Sequence, residues 1–150
     1  MFDDNYYEKC LIELKNKIPE EEYNLVISQP TCELDSSFLG FINVYKGLSQ
    51  IIPKECIVID FGCNLAAQSY FFKDFEKYIG VDTVKERRFK PKNCTHYICS
   101  IQEFIESELV GLFDGKENLD FFAICSYVPD ENATELVRKT FKNVFCFYPN

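Results

Sequence analysis

The clearest chemical signal in this chain is a glycine and an acid twenty positions apart, Gly62 and Asp82, with a second acid, Asp60, just before the glycine. The stretch CIVIDFGCNLAAQSYFF, residues 56–72, runs from an apolar segment through Asp60 and Gly62 into small residues and then aromatics. That order predicts a buried strand over 56–60 turning into a helix over 65–76. A glycine at the turn can take a positive φ and lets the backbone approach a ligand closely. Asn64 is the residue that, after glycine, best tolerates a left-handed conformation. Ala66 and Ala67 are small enough for the helix to pack closely on the strand. The helix N-terminus would then offer free N–H groups to a carboxylate or phosphate. Asp82 closes the apolar segment KYIGVD, where a carboxylate can accept both hydroxyls of a ribose. The combination points to nucleoside recognition; a plain βα turn and an exposed strand-end acid use the same residues.

The rest of the chain must position these groups. Residues 5–17 place Tyr6, Cys10, Leu11 and Leu14 at helical spacing, and Pro19 with the acids Glu20–Glu22 is expected to end that helix. YNLVIS, 23–28, reads as a short strand. Asp35 or Ser36 can cap a following helix whose apolar face is Phe38, Phe41, Ile42, Tyr45 and Leu48, and which Pro53 stops. From there the chain alternates. Strands are expected at 56–60, 77–82, 96–100, 119–128 and 143–148, and helices at 65–76, 101–113 and 131–141. Strands that are apolar almost throughout, joined by helices, imply an α/β fold: a doubly wound, mainly parallel five-stranded sheet covered on both faces. The expected strand order is 3-2-1-4-5, with residues 1–35 a helical extension and 36–150 the core of a single domain. In such sheets ligands bind beyond the carboxyl ends of the strands, where strand order reverses. Asp60, Asp82, Ser100 and Ser126 then share one rim.

At this rim VIDFGCNLAAQSYF followed by YIGVD resembles the class I S-adenosylmethionine-dependent methyltransferases. Their first motif, an acid followed by glycines at alternate positions, maps onto Asp60, Gly62, Asn64 and Ala66, with Cys63 between them. Their second acidic position maps onto Asp82. The residues that commonly flank the adenine map onto Ser100, Ile101 and Gln102. The position facing the methyl group and acceptor maps onto Ser126 and Tyr127. The resemblance covers about residues 36–150. It implies a Rossmann-like fold, S-adenosylmethionine as cofactor, and methyl transfer to an acceptor that the sequence does not identify. Two of the three loop glycines are replaced, and the chain stops after its fifth strand where the family usually adds a hairpin. These departures keep a second reading open, a noncatalytic methyltransferase-like domain that holds the cofactor or binds a protein. A dinucleotide-dependent enzyme is a third.

Composition bounds the partners. With 24 acids against 16 lysines and arginines the net charge is −8, which argues against nonspecific nucleic-acid binding and against an anionic membrane surface. Five basic residues within 85–92 form one local exception, read as a solvated loop or as a site for an acidic partner. Eight cysteines, no C-x-x-C and a single histidine, His96, give poor support for a structural zinc site. Cys56, Cys125 and Cys146 lie in apolar runs, where free cysteine behaves as a small hydrophobe. The acidic start MFDDNYYEKC lacks the apolar core of a signal peptide, and a cytoplasmic, reduced protein is expected.

Methyl transfer from a sulfonium is an in-line displacement, in which the protein mainly positions the reactants and excludes water. Candidate bases at the rim are Tyr127, Asp130 and Glu131. Phe38, Phe41 and Tyr45 can form a lid or simply pack into the core. The last strand, 143–148, carries no charge and is expected at a sheet edge that needs cover. That cover would be the strand predicted at 23–28 or a second copy of the chain, so the protein is expected as a monomer or homodimer.

Overall fold

The computed structural model describes residues 12, 15, 16, 19–27, 36–64, 66–85, 90–126 and 128–147. Helices α1 (Glu20–Ile27) and α2 (Ser36–Ile51) precede the sheet. Five parallel strands follow: β1 (Ile57–Phe61), β2 (Lys77–Asp82), β3 (Cys94–Ile98), β4 (Phe121–Ser126) and β5 (Val144–Phe147). Their spatial order is β3-β2-β1-β4-β5, so strand order reverses between β1 and β4. The fold class and strand order expected from the sequence are those observed. No described helix is long and apolar enough to cross a membrane.

The apolar runs of the inner strands are explained by burial on both faces. All five residues of β1 are buried. On one face Val58, Tyr78 and Ile124 pack with Tyr45, Leu48 and Ile52 from α2 and the turn after it, and with Phe72 and Phe75. On the other, Ile57, Ile59, Phe61, Ile79 and Val81 pack with helix α3 (101–112) and with Val137 of helix α4 (Glu131–Thr140). Helix α3 is not uniform: an α turn at Ile101–Glu103 passes into a π segment at Phe104–Glu108 and returns to α at Leu109–Leu112.

Three sequence expectations need correction. Residues 23–27 belong to α1 and are helical, not a strand, so they add nothing to the sheet. Pro19 opens this helix, its carbonyl accepting the Tyr23 N–H at 2.9 Å, and it also follows a helical stretch that includes Ile12 and Lys15. A short apolar run fits either state, and here a proline followed by three acids supplies a favourable N-terminus. The helix expected over 65–76 is a 3-10 helix, Ala67–Phe72. Ala66, Ser69, Phe72 and Phe75, spaced by three, are all 5% exposed or less, and Gln68 and Tyr70 between them are buried as well. That row aligns in a helix of three residues per turn. Strand β3 begins two residues earlier than the segment 96–100 and ends at Ile98. The helix expected over 5–17 falls mostly outside the described residues.

Side-chain amides fasten the connections. Asn93, before β3, donates to the carbonyls of Phe72 and Phe75 at 2.9 and 3.0 Å, closing the end of the 3-10 helix. Asn118 donates to Thr140 O and accepts from Lys142 N, both at 2.8 Å, tying the entry to β4 to the turn before β5.

Candidate functional site

The loop after β1 makes its turn through alternate left-handed residues. Gly62, Asn64 and Ala66 have φ of 80°, 51° and 61°. These are the three positions at which the resemblance places glycines, and only one of them is a glycine. Gly62 is required on a second count, because a Cβ there would sit 2.9 Å from the Ser126 carbonyl oxygen. Asn64 adopts the conformation expected of it. The left-handed Ala66 is less expected, since an alanine gains no local side-chain hydrogen bond to offset its Cβ repulsion.

The expected cradle of free amides is not formed by the residues of this turn. Gly62 N and Cys63 N both donate to Val81 O, at 2.8 and 3.4 Å, and Ala66 N donates to Cys63 O at 2.9 Å. Asn64 N donates to the Asp82 carboxylate at 2.9 Å. The other Asp82 oxygen accepts Val84 N at 3.1 Å. Asp82 stands at the end of β2 as expected and closes the loop from the neighbouring strand. Both carboxylate oxygens therefore hold backbone amides of the rim.

Asp60 departs most from the expectation of a ligand-facing acid. It is 0% exposed. Tyr45 OH donates to its Oδ1 and Gln68 Nε2 to its Oδ2, each at 2.9 Å, and Tyr78 OH donates to Oδ2 as well. Gln68 spends its second N–H on Cys63 O at 2.9 Å. The carboxyl thus gathers α2, β2 and the 3-10 helix beneath the loop. Burial raises its pKa from the usual 3.8 to about 6, against the opposing effect of the Tyr78, Gln68 and Tyr45 hydrogen bonds, while the charge of Asp82 adds to the rise. Burial also pushes the Tyr45 and Tyr78 hydroxyls well up, so both remain donors.

Gly80 lies opposite Asp60 in the sheet, with His96 beyond it. A Cβ at Gly80 would fall 2.6 Å from His96 Nδ1 and 2.9 Å from Cys63 Sγ. The missing side chain is the space in which Cys63, 1% exposed, seats the loop. His96 Nε2 lies 3.3 Å from Cys94 Sγ.

The remaining predicted site residues are spread along the rim. Ser100 caps α3, its Oγ accepting Glu103 N at 3.1 Å. Ile101 packs against the core on the α3 side. Gln102 is exposed and donates to Glu106 at 3.0 Å. Ser126 is buried at the end of β4, beside Gly62. Asp130 caps α4 by accepting Asn132 N and Ala133 N, which commits one of its oxygens. Glu131 is exposed at the start of α4, and Tyr127 lies outside the described residues. Tyr45 is core rather than lid, 2% exposed with its hydroxyl on Asp60. The side chains of Phe38 and Phe41 lie outside the described residues.

Gln68, Tyr78 and Gly80 were not singled out from the sequence, although each carries a signal. Gln68 is a polar residue amid small and aromatic neighbours, Tyr78 brings a hydroxyl into a buried strand, and Gly80 interrupts that strand. Buried polar groups require partners, and three such anomalies within twenty residues of Asp60 nominate one another. No protein-family model, curated protein or solved structure matches this chain.

Proposed function

We propose that the chain binds S-adenosylmethionine at the rim between β1, β2 and β4, as a small methyltransferase-like protein acting on an acceptor still to be identified. The observation that carries this reading is the state of the loop. Its left-handed residues alternate at 62, 64 and 66, and the amides of Gly62, Cys63, Asn64 and Ala66 are all consumed by the chain itself. A dinucleotide pyrophosphate needs amide donors at this turn. Asp82, the carboxylate that ends β2 beside the loop, is the acceptor that would meet the ribose of the cofactor. S-adenosylmethionine and a nicotinamide dinucleotide both carry a ribose, and titration with each separates them.

A second reading is a domain that holds the cofactor or a protein partner without catalysis. It is favoured by Asp60, which supports the loop from below instead of facing a ligand. Calorimetric titration with S-adenosylmethionine, its demethylated product and NAD tests the proposal. Binding of the first two and not of NAD is expected. Binding of NAD alone overturns the cofactor assignment, and binding of none leaves the protein-interaction reading.

A further inference from the structure

On the α3–α4 face of the sheet, two cysteines meet across its edge. Cys125 of β4 and Cys146 of β5 are direct partners in the parallel register. Both belong to the α3–α4 side of the core, Cys125 within it and Cys146 packed against it. In-register neighbours on adjacent strands lie about 4.8 Å apart. That spacing falls inside the roughly 4.4–6.8 Å between Cα atoms that a disulfide spans. Both side chains lie on the same face of the sheet, and both cysteines are free thiols.

Their surroundings differ. Cys125 is 1% exposed, and burial followed by the neighbouring Cys146 pushes its thiol pKa up, so it stays protonated. Cys146 is half-buried on the edge strand and lines an open cavity of about 450 Å³ with Arg138, Lys142 and Phe145. Of the two sulfurs, Cys146 is therefore the one that an oxidant entering from solvent can reach.

We propose that Cys125 and Cys146 form a reversible dithiol–disulfide pair, with Cys146 the thiol that a peroxide oxidises first. The Cys146 sulfur attacks a peroxide oxygen, the O–O bond breaks, and Cys146 becomes a sulfenic acid with release of one water. The Cys125 sulfur then attacks the Cys146 sulfur. The S–S bond forms, the S–O bond breaks, and the Cys125 proton leaves with the hydroxyl as a second water. Two thiols lose two electrons to the peroxide, which is reduced to water. A dithiol reductant reverses the change. Because β5 is an edge strand, it can shift toward β4 without displacing a further strand.

The test is peroxide titration of the purified full chain, followed by alkylation under denaturing conditions and non-reducing peptide mapping. The expected product is a monomer lighter by two hydrogens, in which tryptic peptide 117–138 is joined to peptide 143–150 and released by dithiothreitol. In Cys125→Ala, Cys146 should stop at the sulfenic acid and be trapped by dimedone. In Cys146→Ser, Cys125 should survive the same peroxide and remain alkylatable. The second variant changes a half-buried edge position, so it reports even where the core variant fails to fold. Cys125 remaining fully alkylatable in the wild type after Cys146 is consumed would overturn the proposal. So would a bond from Cys146 to any other cysteine or to a second copy of the chain.

Discussion

Asn64 gives its backbone N–H to the Asp82 carboxylate at 2.9 Å, joining the loop after β1 to the end of β2. The acid that most suggests a nucleoside site is therefore bound to the loop itself. The same carboxylate accepts Val84 N at 3.1 Å, so one side chain fixes both the loop and the exit of its own strand. A left-handed Asn64 presents its amide in that direction, and the contact in turn holds the left-handed conformation.

Asp82→Ala removes the acceptor from two backbone donors. Hydrogen bonds to a charged group contribute about 1.5–3 kcal/mol each when buried and less when solvent can replace them, so a loss of about 1–3 kcal/mol is expected. Urea unfolding without ligand measures it. Asp82→Asn, which keeps one carbonyl acceptor, should lose less. An alanine variant with the wild-type midpoint would show that the carboxylate does not hold the loop. If the cofactor assignment is correct, affinity for S-adenosylmethionine should also fall by roughly tenfold or more in the alanine variant.

At Asn64 the backbone itself is tested. Its φ of 51° suits glycine and asparagine and strains a β-branched residue. Asn64→Gly should unfold within about 1 kcal/mol of wild type. Asn64→Val should lose about 1–2 kcal/mol more than the glycine variant. Because Asn64 is exposed, packing does not confound the pair. Equal melting temperatures for the two variants would contradict the left-handed assignment.

Gly80→Ala probes the floor beneath the loop. The added methyl meets a ring nitrogen of His96 and the Cys63 sulfur inside 3 Å, and both must move. Overpacking of this kind costs about 1–3 kcal/mol. The double variant Gly80→Ala with Cys63→Ala should recover part of that loss, since it removes one of the two clashing atoms. Thermal unfolding of both variants reads the coupling; the absence of any recovery would place the strain on His96 alone.

The parts of this fold that were legible in the sequence are those where local pattern and burial agree. Strands β1, β2 and β4 are apolar runs covered on both faces, and α4 has an amphipathic stripe behind an aspartate cap. Residues 23–28 read as a strand because an apolar run of six is ambiguous between strand and helix, and Pro19 with Glu20–Glu22 can start a helix as well as end one. The 3-10 geometry of Ala67–Phe72 was missed because the row Ala66, Ser69, Phe72 and Phe75 contains a serine, which hides the period of three. Within the site, Gly62, Asn64 and Asp82 were legible because their roles are backbone conformation and strand-end position. The role of Asp60 was not, because its three partners lie 8 to 18 residues away and converge only once the sheet has formed.

Asp60 gives the chain a stability that depends on pH. Its pKa of about 6 in the folded protein lies above the usual 3.8, because burial disfavours the charge more than the three hydrogen bonds support it. Between these two values the folded state binds more protons than the unfolded one, so the contribution of this group is fully present below about pH 4 and is lost as pH rises through about 6. A difference of about two units corresponds to about 3 kcal/mol. Asp60→Asn removes the titration, and its stability change between pH 4.5 and 7.5 should differ from that of wild type in that direction. Wild type should lose more stability than the variant on going from pH 4.5 to 7.5, whatever the other carboxylates contribute to both. Tyr45→Phe sharpens the test. It removes a donor that serves the carboxylate more than the neutral acid, so it should cost about 1.5–3 kcal/mol at pH 7.5 and less at pH 4.5. Urea unfolding of the three proteins at pH 4.5, 5.5 and 7.5 supplies both comparisons. Parallel pH profiles for wild type and Asp60→Asn would mean that Asp60 keeps its ordinary pKa, and that its three donors offset burial in full.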